Sequence, residues 1–406
     1  MLQKRLLERT LAVALLSALS LAGSATATGQ APAIDRAAAA AEACMALGDD
    51  ARIAQCLQQV APRSPEQQRA DAVLDDPATQ AAMEAWSRAY EPAMAAHAQA
   101  LAQRGDVRSL LGAMMIMPVQ DAAAGDAPGV LGLQARGWFA RARQLGPTDP
   151  VVAWVEVTDC HVLGCDRDAA IARLLQVDGD NAAAHLWANG VAMESGDPRA
   201  AREDLHAAAV APRYQPHSGP LLSLLLDARA GAPVPAMDAR TSAGMQAATG
   251  TGTAADWMAM QALGQWAAIA LAPMQGVSRF CAPGSAQLAR DPGLRADCKA
   301  VLSRLAADDS TLPYAEMATR LLIGLDPGLT GQWTPRLRQL AWWREQSLPL
   351  LADLGGVAHR GGTPGAGEYA RWVASDGELG AMARLLSHAG IATAPPTEWQ
   401  LPRQPR

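Results

Sequence analysis

The chain has 406 residues and a formal net charge of −6, and half of its residues are apolar although only 4% are aromatic. This length exceeds that of a typical single core and predicts two or three structural units or a repeat array. No cluster of lysine and arginine follows the first nine residues. Nucleic acid and anionic lipid are therefore not expected as main partners, because both are bound by clustered cations.

The composition favours helices. Alanine dominates, and valine and isoleucine are sparse outside a few short runs. Alanine, leucine, arginine, glutamine and glutamate stabilise helices, whereas strands are rich in β-branched and aromatic residues. The sequence therefore predicts an all-α fold, built as an irregular array of antiparallel helical hairpins in one body or in two lobes.

Residues 1–27 have the pattern of a cleaved secretory signal peptide. Lys4, Arg5 and Arg9 form a basic start, residues 10–22 form an apolar run, and residues 25–27 supply small side chains for the peptidase. The apolar run is too short to span a bilayer, and no later stretch is apolar enough to do so. We expect cleavage after Ala27, a periplasmic or secreted mature protein, and no membrane insertion after cleavage.

Many helix starts are marked by a capping side chain followed by proline at the first helical position, where the missing N–H costs nothing. These pairs are Ser64-Pro65, Asp76-Pro77, Asp149-Pro150, Asp197-Pro198, Asp291-Pro292, Asp326-Pro327 and Thr334-Pro335. They predict many short helices joined by tight turns. In the N-terminal region, 28–120, the predicted helices are 36–47, 51–60, 65–74, 78–103 and 106–116.

The region 130–213 carries a weak repeat pattern. Residues 138–150 have the form of a second helix followed by an inter-repeat turn, and Trp154 stands at the aromatic position of the next first helix. Residues 194–197 match the turn inside a hairpin, and Ala201 matches the small residue that packs across it. In these features the segment 138–213 resembles tetratricopeptide (TPR) repeats, which are helix pairs of about 34 residues.

The repeat pattern also departs from that family. Cys165 replaces the usual glycine, His185 replaces an aromatic residue, and Asn189 stands where a small residue is usual. The resemblance nevertheless implies a curved stack of hairpins with a concave face that binds peptides or partner proteins. It places the first helices at about 151–160 and 182–194.

The remaining regions are predicted to be a loop-rich connector at 214–254, a helical region at 255–394 and an extended, frayed tail at 395–406. The predicted helices are 219–229, 236–248, 255–272, 285–307, 312–324, 334–354, 368–374 and 377–389. The glycine-rich loop 355–367 follows a predicted helix. It is therefore interpreted as a connector, because a dinucleotide-binding loop must follow a strand.

Six cysteines form three close pairs, an arrangement that indicates disulfides in an oxidising compartment. The expected bonds are Cys44–Cys56, Cys160–Cys165 and Cys281–Cys298. Cys160, His161 and Cys165 could alternatively bind zinc, but no second ligand pair lies nearby in the sequence. We therefore expect three local disulfides, no metal and no cofactor.

No zinc-protease, esterase or P-loop motif is present. Ser218 follows His217 directly, so the two side chains are not expected to face each other as a catalytic pair. The leading hypothesis is a non-catalytic, exported helical-repeat protein that binds a protein or peptide. Its candidate contact residues are Glu156, Asp159 and Glu194, on the outer face of the first helices.

Two alternatives remain open. One is an all-α periplasmic hydrolase whose carboxylates converge only in three dimensions, and the other is a structural envelope protein. A hydrolase requires a pocket with convergent acids or a histidine–acid pair. A binding protein requires a groove with exposed aromatic rings and unpaired polar side chains.

Overall fold

The computed structural model describes residues 65–117, 132–269, 271–351, 354 and 364–401. All regular secondary structure in these ranges is helical, apart from one isolated bridge between Asn181 and Arg213. The predicted all-α class is therefore confirmed. The signal segment, the helices predicted at 36–47 and 51–60, and the pair Cys44–Cys56 lie outside the described residues.

The first half of the described chain contains nine helices. They are α1 (Pro65–Leu74), α2 (Pro77–Gln103), α3 (Val107–Ile116), α4 (Leu133–Leu145), α5 (Pro150–Thr158), α6 (Cys160–Leu163), α7 (Arg167–Asp178), α8 (Ala182–Glu194) and α9 (Pro198–Val210). The start and end of α8 agree with the prediction, and α9 begins directly after the predicted turn.

The second half begins after the loop 211–217. Its α-helices are α10 (Ser218–Arg229), α11 (Ala239–Thr249), α12 (Ala254–Ile269), α13 (Gln275–Phe280), α14 (Ala286–Arg290), α15 (Pro292–Ala307), α16 (Leu312–Leu325), α17 (Thr330–Leu351) and α18 (Ala366–His388). A short 3-10 helix, Pro327–Leu329, precedes α17. In the described ranges, no helix is both long and apolar enough to cross a bilayer.

Aspartate side chains cap seven of the described α-helices. The side chains of Asp76, Asp149, Asp197 and Asp291 accept hydrogen bonds from backbone N–H groups of the helices that they precede. The helix start predicted at Pro335 is wrong. The 3-10 helix Pro327–Leu329 leads directly into α17, which begins at Thr330.

Two further corrections concern helices of the second half. Residues 285–307 form two helices rather than one, because Asp291 ends α14 and caps α15. Helix α13 was not predicted. Segments 368–374 and 377–389 are confirmed as separate helical segments, because α18 is broken by a kink at Gly377, whose φ of +76° suits a residue without a side chain.

Helix packing does not follow chain order in the second half. Helix α9 packs on α15, and the contacts continue through α16, α17 and α18 to α10. Helix α10 also packs on α12 and on α3, so residues far apart in the sequence share one core around it. A strictly linear repeat array has contacts only between successive repeats. This chain adds contacts between its early and late helices.

Two of the predicted disulfides are confirmed. Cys160 and Cys165 are bonded across the turn after α5, with their Cα atoms 5.1 Å apart. Cys281 and Cys298 connect the end of α13 to α15, with their Cα atoms 5.5 Å apart. Both Cα distances lie in the normal range for disulfides.

The C-terminal tail is held against α17, so the expectation of a frayed tail is wrong for the described residues up to 401. The indole N–H groups of Trp342 and Trp343 donate to the carbonyl oxygens of Ala392 and Thr393, just before the tail, at 2.7 and 2.6 Å. Arg338 donates to the carbonyl oxygen of Trp399 at 2.6 Å. These bonds satisfy backbone acceptors that an extended tail would otherwise leave to water.

The hairpin of α8 and α9 accounts for the unusual Asn189. Its side-chain N–H donates to the carbonyl oxygen of Ala201, which is fully buried on α9, at 2.5 Å. On its other side, Asn189 is covered by Gly276 of α13, where a Cβ atom would overlap the Asn189 amide group. Asn189 therefore bonds across the hairpin, and a glycine opposite makes room for it.

We predict that Gly276→Ala lowers the free energy of unfolding by about 1–3 kcal/mol, because the added methyl group must displace the buried Asn189 amide. The matched control is Gly137→Ala on α4, where a Cβ atom would have no neighbour within 4 Å. The control should gain about 0.5–1 kcal/mol from better helix propensity. Urea unfolding followed by circular dichroism measures both. Equal effects of the two changes would contradict the close approach of α13 to α8.

Candidate functional site

The three carboxylates predicted to contact a partner lie in different environments. Glu156 and Asp159 are buried, so their expected position on an exposed face is wrong. The reason is that six of the nine residues of α5 are buried, so the helix has no broad outer face. Glu194 is exposed at the end of α8, where it pairs with Arg167.

Glu156 is held between two arginines of neighbouring helices. One carboxylate oxygen accepts from Arg143 of α4 at 3.0 Å, and the other lies 2.7 Å from the Nε atom of Arg173 of α7. Only 3% of the glutamate side chain is exposed, whereas both arginines are partly exposed. The site therefore joins α4, α5 and α7. The sequence signal for it was a single carboxylate inside the apolar run 150–157.

Asp159 lies between α5 and α6, beside the Cys160–Cys165 disulfide. Its side chain has no hydrogen-bond partner among the described residues, and only 8% of the residue is exposed. Burial raises the pKa of Asp159 from its usual 3.8 to about 7. The neutral carboxylic acid is therefore the favoured form up to about neutral pH, and it is poorly suited to contact a partner.

A buried histidine–carboxylate pair lies where α7, α8 and α10 meet. Asp178 accepts from His217 at 3.0 Å and from Asn181 at 2.7 Å, and it also pairs with Arg213. The His217 backbone is in the left-handed region, at φ +53°, and its ring lies against Trp154 with the centroids 5.2 Å apart. Such backbone strain persists only where the surroundings hold it in place.

This pair is the kind of group that the hydrolase alternative requires, but it is enclosed. His217 is 6% exposed and Asp178 is 1% exposed. Neither residue lines the groove along α16 or the cleft between α2 and α4 that are described below. The pair therefore fastens the loop 211–217 to α7 and α8 rather than meeting a substrate.

An open groove runs along α16. Pro313, Met317 and Leu321 lie four residues apart and form an apolar stripe, since residues at this spacing share one face of a helix. The groove has a volume of about 360 Å³ and is shallow and wide open to solvent. Ser278 of α13 contacts the Met317 sulfur atom at 3.7 Å and flanks the stripe.

Glu316 and Arg320 line the same groove, and Arg344 of α17 is bonded to that glutamate. The Glu316 carboxylate accepts from the Nη1 atom of Arg344 at 2.8 and 2.7 Å, and from the Nε atom of Arg320 at 3.2 Å. Glu316 is 8% exposed, whereas 41% of the Arg344 side chain and 30% of the Arg320 side chain are exposed. The cluster has a net charge of +1. Arg344 Nε, Arg344 Nη2 and Arg320 Nη1 have no protein partner in the described ranges.

Comparisons with protein-family models, with curated proteins and with solved structures find no match for this chain. The candidate sites are therefore judged on geometry. Of the described features, the α16 groove combines open volume, an apolar stripe and unused hydrogen-bond donors. Sequence reasoning missed it, although the spacing of Pro313, Met317 and Leu321 was a readable signal.

We predict that Glu156→Gln lowers the free energy of unfolding by about 2 kcal/mol, because it leaves two partly buried guanidinium groups without a counter-charge. The matched control is Glu194→Gln on α8, which removes one exposed ion pair. The control should cost less than about 1 kcal/mol. Urea unfolding at low ionic strength compares the two variants. A cost of Glu194→Gln equal to that of Glu156→Gln would show that Glu156 is not a structural junction.

Because the pKa of Asp159 is raised in the folded state, we predict that the free energy of unfolding depends on pH. Between about pH 4 and pH 7 the folded state binds one more proton than the unfolded state, so the free energy of unfolding falls as pH rises through that window. Asp159→Asn cannot ionise. It should match the wild type near pH 4 and exceed it at pH 8 by up to about 4 kcal/mol, from about three pKa units. Urea unfolding at both pH values tests this, and a difference that is the same at both would contradict it.

Proposed function

We propose that this chain is an exported, non-catalytic helical-hairpin protein that binds an acidic segment of a protein or peptide in the α16 groove. The observation that supports this is the net positive cluster of Glu316, Arg320 and Arg344 beside the apolar stripe. A bound segment would place an apolar side chain between Pro313 and Leu321. Its carboxylate would reach the unused arginine donors.

Charge supports an acidic ligand. Arginine presents five donors in a fixed plane that suits carboxylates, and bonds between charged groups are stronger than neutral ones. Glu316 holds both guanidinium groups in place before the ligand arrives, so little side-chain entropy is lost on binding. The buried Glu316 thus orients the arginines, and the arginines make the contact.

The apolar stripe supports a segment with a regular side-chain spacing. Amphipathic helices bind grooves through apolar residues three or four positions apart, which is the spacing of Pro313, Met317 and Leu321 on α16. In this proposal the TPR-like segment 138–213 serves as scaffold, and Glu194 remains a candidate second contact. In the same proposal, the predicted signal peptide 1–27 directs the protein out of the cytoplasm.

The test uses two fluorescently labelled peptides with leucines four positions apart, one with flanking glutamates and one with glutamines in their place. We expect the mature protein to bind the glutamate peptide more tightly, with an affinity that falls as salt is added. Arg344→Gln should weaken binding of this peptide about tenfold, the loss of one charged hydrogen bond. Met317→Gln should weaken binding of both peptides, because it removes apolar contact at similar volume.

The matched control is Arg384→Gln, which removes an arginine that is exposed to a similar degree but pairs with Asp376 on α18. It should leave the affinity unchanged. Circular dichroism verifies that every variant is folded. Equal binding of the two peptides, or equal effects of Arg344→Gln and Arg384→Gln, would refute the groove as an acidic-segment site.

A further inference from the structure

A second cleft, between α2 and α4, is uncharged. It is lined by Gln99, Ala102 and Gln103 of α2 and by Gln134 and Trp138 of α4, and its volume is about 200 Å³. The two glutamines of α2 are four residues apart, and so are Gln134 and Trp138 of α4. Residues at this spacing share a helix face, so each helix presents a pair of long polar or aromatic side chains to the cleft.

The polar groups of this cleft are unused. The three glutamine amides and the indole N–H of Trp138 make no hydrogen bond to another described residue, and the exposed amides are open to water. The three glutamines are exposed, whereas Trp138 is half-buried and packs on the core beneath. Packing holds the indole ring in place, while the amides are free to bond outward.

The chemistry of the cleft selects the class of ligand. No charged side chain lines it, so an ionic ligand gains no counter-charge there. An apolar ligand would bury the amides without partners, which costs free energy. A ligand that carries hydroxyl groups around its edge and C–H groups on a face satisfies both parts of the lining. A carboxamide offers one acceptor and two donors to hydroxyl groups, and an indole offers a flat apolar surface.

We infer that this cleft binds one neutral sugar unit of a glycan, with the ring on Trp138 and its hydroxyl groups bonded to Gln99, Gln103 and Gln134. The small volume supports a single unit, because sites that enclose larger ligands hold about 300–1,000 Å³. An extended peptide fits less well, since it is recognised by main-chain pairing and successive side-chain pockets. The site is separate from the α16 groove and does not depend on the function proposed for that groove.

The experiment measures binding of cellotriose, maltotriose and chitotriose to the mature protein by saturation-transfer NMR and isothermal titration calorimetry. We expect at least one of the three to bind, with a dissociation constant near millimolar that is insensitive to salt because no charge is involved. The double variant Gln103→Ala/Gln134→Ala should weaken this binding at least about tenfold, because two hydrogen-bonding side chains are lost. Trp138→Leu should also weaken it while keeping an apolar residue against the core.

The matched control is Gln287→Ala, a change at an exposed glutamine on α14 that lies outside the cleft. It should bind the sugar like the wild type. The acidic peptide should bind the double variant as it binds the wild type, which separates this result from that of the α16 groove. Absence of binding to all three sugars, or unchanged binding by the double variant, would overturn the inference.

Discussion

A buried carboxylate must recover, from other side chains, the interactions that it loses with water, and this constraint determines how the helices of the described chain are joined. Glu156, Asp178, Asp297 and Glu316 are each buried, and each takes two basic side chains. In every case at least one basic side chain comes from another helix or loop. Glu156 thus connects α4, α5 and α7, Asp297 connects α9 to α15, and Glu316 connects α16 to α17. An unpaired buried charge is costly, so these contacts favour the one arrangement of helices in which every buried carboxylate is paired. Packing of short, alanine-rich helices alone would specify that arrangement only weakly.

The same contacts shape the surface. One carboxylate cannot use all the donors of two guanidinium groups, so unused donors remain on the arginines that hold Glu316. This explains how a chain with a net charge of −6 presents a locally positive groove at Arg320 and Arg344. Around Glu156 the arginines lie over closely packed helices, and there they stabilise the packing of those helices. Along α16 they border open volume instead, and there the surplus charge becomes available to a ligand.

The sequence carried enough information for the helices and too little for the junctions. Aspartate followed by proline marks a helix start through local bonds, so the starts of α2, α5 and α9 could be located within a residue. The burial of Glu156 depends on Arg143 and Arg173, which are not at helical spacing from it and become neighbours only when α4 and α7 pack on α5. The α16 stripe was visible as a spacing of four, but its exposure depends on what α13 and α17 cover. Docking of the tail was not predictable from its prolines, since the bonds come from Arg338 and Trp342, which are 61 and 50 residues away from their partners in the sequence.

Helix α17 shows how the fold leaves one of its faces free. Arg338 and Trp342 lie one turn apart and bind the tail, whereas Arg344 is two residues beyond Trp342, about 200° around the helix. The tail therefore covers the side of α17 that faces away from α16, and Arg344 is directed to Glu316 and the groove. Trp343 lies between Trp342 and Arg344 in the sequence, and its ring is buried in the core. Its indole N–H donates to the carbonyl oxygen of Thr393, just before the tail, so this residue stabilises both the core and the attachment of the tail. The bonds that hold the tail thus keep the backbone of α17 fixed without occupying the groove. This rigidity is what a binding site with preformed arginine positions requires.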